Sequence, residues 1–113
     1  MSDTENLLSE TLMFMAEHGK TPDDVRWVGD TTIWFSWDEF ANVANVEYDA
    51  GFGGQEVASD LLVVGDDWWM ERHEYDGTEW WEFKTLPTLP SQHVVPRTVF
   101  GLGWTSLADA NRS

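Results

Sequence analysis

The chain has 113 residues, a length that fits one domain, and 21 acids against 6 bases give it a formal charge of −15. So few bases argue against direct contact with nucleic acid or an anionic membrane surface, both of which need clustered Lys and Arg. The absence of cysteine excludes disulfides, thiolate metal sites and cysteine nucleophiles.

Residues 4–18 read as a helix. Thr4 or Asp3 can cap it, and Leu8, Leu12 and Met15 share a face. Gly19 and Pro22 stop it. Residues 25–28 and 31–35 read as strands joined by a Gly29-Asp30 turn of type II′. That pairing puts Val25, Trp27 and Trp34 on one face, and Val28, Ile33 and Phe35 on the other. Ser36-Trp37-Asp38-Glu39 matches a capping box and predicts a short helix over 37–45, with Trp37, Phe40, Ala41 and Ala44 on one side. A short strand fits 46–49. The loop Gly51–Gly54 lacks both the lysine of a phosphate-binding loop and the oxygen ligands of a calcium loop.

Residues 61–64, 67–75 and 78–85 read as an antiparallel meander with turns at Gly65-Asp66 and Asp76-Gly77. A two-residue turn at Asp76-Gly77 sets Tyr75 opposite Thr78. It then pairs Met70 with Phe83, Arg72 with Trp81 and Glu74 with Glu79 on a core face shared with Leu61, Val63 and Trp68. There Arg72 can lie over the ring of Trp81. The other face pairs Trp69 with Lys84, Glu71 with Glu82 and His73 with Trp80. Like charges opposite each other are destabilising, so Glu71 and Glu82 are expected to face water or await a cation. Either this face is a recognition surface or the helix over 4–18 covers it. Beyond residue 85, Pro87, Pro90 and Pro96 predict an irregular connection. Val94–Phe100 is expected as an edge strand, Trp104 as packing back, and Ala108–Ser113 as frayed. The expected fold is α+β, one domain over 1–113: an N-terminal helix and one short helix packed on a mainly antiparallel sheet of about five strands.

Eight tryptophans and a hydrophobic fraction of 42% speak against disorder despite the charge. No 18-residue apolar run is present, and residues 1–20 lack the pattern of a signal peptide, which predicts a cytoplasmic protein. The histidines have no partner ligands at metal-binding spacing. Ser9, Ser36, Ser59 and Ser91 sit in no nucleophile elbow, and pairs such as Glu71 with Glu82 or Asp66 with Asp67 arise by chance among 21 acids. No catalytic residue, metal or cofactor is therefore expected. Adjacent tryptophans also fit a sugar-binding sheet, a minor alternative.

The strongest clue is where the charge lies. From Asp23 to Glu82 there are 16 acids against Arg26 and Arg72, leaving −1 for the rest of the chain. Self-repulsion of this kind costs stability. A compact chain of this length spans roughly 34 Å, and that length of DNA duplex carries about 20 charges. The protein's charge is of the same order, so its carboxylates can imitate a phosphate row for a basic groove. The expected contact residues are Asp66, Asp67, Glu71, Asp76, Glu79 and Glu82, with Trp69 and Trp80 as anchors.

The stretch Tyr48-Asp49-Ala50-Gly51-Phe52-Gly53-Gly54-Gln55-Glu56-Val57-Ala58, with Trp68-Trp69 and Glu71-Arg72-His73-Glu74-Tyr75-Asp76-Gly77, resembles small acidic bacteriophage proteins. The resemblance implies a protein made in the cytoplasm of a bacterial host. Short phage proteins of this kind resemble inhibitors of host defence, including anti-CRISPR and anti-restriction proteins and uracil-DNA glycosylase inhibitors. The expected function is then a non-enzymatic inhibitor, with a nucleic-acid-binding host protein as partner and a homodimer open. A phage structural, assembly or regulatory module is the alternative.

Overall fold

The computed structural model describes residues 4–51, 54–101 and 103–112. It is an α+β fold with a mainly antiparallel five-stranded sheet and a separate two-stranded sheet. The first helix, α1 (Leu7–Glu17), starts three residues later than the sequence predicts. Asn6 is the cap, accepting from Ser9 N at 2.9 Å, and its amide also donates to Asn45 Oδ1. Thr4–Asn6 instead form β1, paired antiparallel with β2 (Glu47–Asp49). The ladder satisfies backbone groups that a longer helix would otherwise have bonded internally. The alternative cap, Asp3, lies outside the described residues. Gly19, at φ +71°, ends the helix as expected. Lys20 N and Gly19 N bond back to the carbonyls of Met15 and Ala16, the paired pattern of a glycine-terminated helix.

Between β1 and β2 in sequence lie a hairpin and a second helix. The hairpin joins β3 (Trp27–Gly29) and β4 (Trp34–Phe35), with Val28 opposite Phe35 and Gly29 opposite Trp34. The predicted Gly29-Asp30 turn is therefore displaced to Asp30–Ile33. The Asp30 carboxylate accepts from the amides of Thr32 and Ile33 and folds the chain there. The slip is an even number of residues, so Trp27 and Trp34 still share a face, as do Val28 and Phe35. Helix α2 (Trp37–Ala44) starts at the predicted capping box: Glu39 N donates to Ser36 Oγ at 3.1 Å, and Ser36 N to Glu39 Oε1 at 2.9 Å. Ser36→Ala is expected to lower stability by about 1 kcal/mol in chemical denaturation.

The meander consists of β5 (Leu62–Val64), β6 (Trp68–Tyr75) and β7 (Thr78–Thr85). Asp76 (φ +53°) and Gly77 (φ +86°) both occupy the left-handed region, as a type I′ turn demands. The register runs from Tyr75 opposite Thr78 to Trp68 opposite Thr85, as the two-residue turn requires. The full sheet has the order β4-β3-β5-β6-β7.

Alternation along these strands sends Val28, Val63, Met70 and Phe83 to one face. Both helices cover that face. Met15 of α1 and Phe40 and Ala44 of α2 join Val28, Val63, Trp68, Met70 and Trp81 in the buried core. Trp81 Nε1 donates to Thr11 Oγ1 at 3.0 Å, and His18 stacks on Phe83 at 4.2 Å. Among the described residues, the buried core that α1 and α2 form lies on that face alone.

After β7 the chain departs from the sequence reading. Val94–Phe100 form no strand, because Pro96 and the hydrogen bonds of Asn111 hold that stretch in a loop. Trp104 is 81% exposed rather than packed back. Leu107–Ala110 form a short helix, α3, capped by Ser106, where fraying was expected. The radius of gyration is 18.6 Å, against about 13 Å for a compact chain of this length, and most described residues from 85 on are exposed.

Candidate functional site

Burial divides the acids into those that can meet a partner and those that cannot. Glu79 belongs to the second group, which corrects its place among the contact residues. On the core face its side chain is fully buried, and it receives Arg72 Nη2 at 2.9 Å and the amides of Glu56 and Val57 at 2.6 and 3.2 Å. Arg72 also reaches Glu10 at 3.1 Å and the Tyr48 hydroxyl at 3.0 Å, and Tyr48 in turn donates to Glu10. The guanidinium lies over the Trp81 ring at 4.9 Å, as the register predicts. Burial disfavours the charge on Arg72, but bonds to Glu79 and Tyr48 outweigh it and raise its pKa. Burial also raises the pKa of Tyr48, with the Glu10 bond adding to it.

The other face of the sheet carries Trp27, Val64, Trp69 and Lys84 in one row, and Trp34, Leu62, Glu71 and Glu82 in the next. His73 and Trp80 follow, then Tyr75 and Thr78. Since α1 lies on the other side, the sheet presents this face outward. The two facing carboxylates do not simply meet water. His73 Nε2 lies 2.8 Å from Glu71 Oε2 and 3.5 Å from Glu82 Oε1, and Lys84 Nζ lies 3.5 Å from Glu82 Oε1. Each indole donates to the acid two residues along its strand: Trp69 to Glu71 at 2.7 Å and Trp80 to Glu82 at 3.2 Å. These bonds hold the pKa of both acids below the usual range, the indole being the main cause in each case.

A carboxylate with a depressed folded-state pKa stabilises the fold above its unfolded pKa, and this contribution is lost as pH falls through the folded value. Glu71→Gln is therefore expected to destabilise the protein at pH 7, by an amount that shrinks towards pH 3. Urea unfolding of both proteins at the two pH values checks this.

The other expected contact residues fall at opposite ends of the sheet. Asp66 and Asp67 form the β5–β6 turn, where Asp66 is engaged by Arg26 through two bonds of 2.7 and 2.8 Å. That exposed pair lowers the pKa of Asp66. Asp76 lies at the β6–β7 tip, beside Glu74, whose carboxylate accepts from Gly77 N. The tip is tied to β2 by Glu79 N bonding Ala50 O, and Asp49 N bonds Glu56. Glu5, Glu47, Asp49, Glu56, Glu74 and Asp76 thus gather at one end, and no ion pair among the described residues joins them to a base. Partial burial and the carboxylates of Glu10 and Glu47 push the pKa of Glu5 up, against the pull of Arg72. Trp80 and Glu5 border a shallow groove of about 510 Å³ there.

No protein-family model, curated protein or solved structure matches this chain. The site therefore has to be read from its own chemistry. Among the described residues, no group of three His, Asp or Glu is placed to hold a metal ion, and no helix is long and apolar enough to cross a membrane. The sequence reading missed Glu5, Glu47, Asp49 and Glu56, which come together only through the β1–β2 pairing. It also left Trp27 and Trp34 out of the aromatic face. Their parity along the hairpin was legible, but their alignment with Trp69 required the pairing of β3 with β5.

Proposed function

We propose that the protein is a non-enzymatic inhibitor of phage origin that binds the basic, nucleic-acid-binding groove of a host protein. The observation that carries this reading is the end formed by Glu5, Glu47, Asp49, Glu56, Glu74 and Asp76. Unneutralised carboxylates on rigid strands and a tight turn repel one another in the free protein, and a cationic partner relieves that repulsion. Trp80, held by Glu82, offers flat apolar contact beside it, and Trp69, held by Glu71, lies further along the same face. Such contact selects one basic surface over others. Glu82 contributes less charge than the sequence implies, because Lys84 Nζ lies 3.5 Å from its carboxylate.

Capture of host proteins on the immobilised protein, at low and at high salt, tests the reading. A nuclease, polymerase or defence complex retained at low salt and released at high salt supports it. Recovery of no nucleic-acid-binding protein contradicts it. With the partner in hand, the Glu74→Lys, Asp76→Lys double variant is expected to associate about tenfold more slowly and with a flatter salt dependence.

A further inference from the structure

Asp76-Gly77 is the one Asp-Gly pair in the chain, and no Asn-Gly occurs. In such a pair the glycine amide nitrogen can attack the aspartate Cγ, because glycine puts no side chain in the way. A bond forms between Gly77 N and Asp76 Cγ, and the acid's OH and the amide proton leave as water. The product is a five-membered succinimide. Water then reopens the ring at either carbonyl. Opening at Cγ restores aspartate. Opening at the main-chain carbonyl leaves isoaspartate, whose backbone runs through the β-carboxyl and is one methylene longer. The water lost in the first step is regained in the second, so no other reactant is needed.

The turn stands one rotation away from this chemistry. The ring eclipses Cβ with the Gly77 nitrogen about the Cα–C bond of Asp76. For an L residue this sets ψ at about −120°, the value at the first central position of a type II′ turn. A type I′ turn holds ψ there at about +30°, while φ is about +60° in both types. Asp76, at φ +53°, therefore needs no change in φ. Only the Asp76–Gly77 peptide plane has to turn, by about 150°. Gly77, at φ +86°, can follow, since glycine moves between positive and negative φ without steric cost. Asp76 is exposed, so water reaches its carboxyl group.

One contact opposes the rotation directly. Gly77 N donates to Glu74 Oε2 at 2.8 Å. Turning the peptide plane swings this N–H away from the carboxylate and breaks a charge-assisted bond. The flanking Tyr75–Thr78 pair closes either turn type and does not oppose the rotation. We infer that Asp76-Gly77 is a site of backbone isomerisation and that Glu74 holds it closed by fixing the Gly77 amide. Isomerisation lengthens the turn that sets the register of β6 and β7, so Glu74 governs the working life of the hairpin tip. The inference does not rest on the binding proposed above.

Prolonged incubation of the full chain in neutral buffer, followed by isoaspartyl-methyltransferase labelling and peptide mapping, tests it. Glu74→Ala is expected to accumulate isoaspartate at Asp76 about tenfold faster than the parent, the rate equivalent of one hydrogen bond to a charged acceptor. Glu74→Gln retains an acceptor oxygen and is expected to stay closer to the parent. Amide hydrogen exchange separates the single bond from a general loosening: in Glu74→Ala, exchange should rise at Gly77 and stay unchanged along β6 and β7. Equal accumulation in parent and Glu74→Ala, or none in either, overturns the inference. So does slower accumulation in Glu74→Ala, which would make Glu74 a base that assists the attack. An equal rise in exchange throughout the hairpin also overturns it, since the whole hairpin and not this bond would then govern the rate.

Discussion

Arg72→Met is expected to lower stability by about 3–5 kcal/mol, measured by urea unfolding at pH 7. The variant fills similar volume but leaves Glu79 buried without its countercharge. The side chains of both residues are fully inaccessible, so water cannot replace the lost partner. Glu79 retains the amides of Glu56 and Val57, but neither carries a charge to offset its own. Replacing Arg72 and Glu79 together by apolar residues is expected to cost less than Arg72→Met alone, because no uncompensated charge then remains. A double replacement costing more than the single change would contradict this account of the network.

Trp81→Ala is expected to cost a further large increment, about 3–5 kcal/mol. The indole is 2% exposed, holds α1 to the sheet through Thr11, and carries the Arg72 guanidinium on its face. Removing it leaves a cavity, a Thr11 hydroxyl bonded only to the Leu7 carbonyl of its own helix, and a less well-packed cation. Because Trp81 and Arg72 are in contact, their effects should not add. A double-mutant cycle is expected to show coupling of at least about 0.5 kcal/mol, whereas strict additivity would contradict the stacked arrangement.

Both variants probe a face whose pairing the sequence discloses through one dipeptide. Asp76-Gly77 permits little besides a two-residue turn, and this turn aligns every pair from Tyr75–Thr78 to Trp68–Thr85. The Ser36–Glu39 capping box was equally legible, since its bonds lie within four residues. Elements that depend on distant partners were not. The start of α1 was misread because Thr4–Asn6 find their ladder with residues 47–49. The β3–β4 turn was misread because the Asp30 side chain outcompetes a glycine turn for backbone amides. Glu79 was placed on the core face by the register yet counted among the contact residues, because its diagonal pairing with Arg72 was not drawn from the sequence. The acidic end was visible as net charge but not as a place, because β1, β2 and the hairpin tip meet only in three dimensions. The exposed unit over 97–112 ran against the expectation that a tryptophan packs inward.

The central claim is that the free carboxylates at the β1–β2 and β6–β7 end occupy a partner's nucleic-acid site. Competition between this protein and duplex DNA for the captured host partner tests it most directly. Increasing amounts of the protein are expected to displace DNA from that partner, and the Glu74→Lys, Asp76→Lys variant to require a higher concentration for the same displacement. A ternary complex in which DNA and this protein bind together without weakening each other would contradict it.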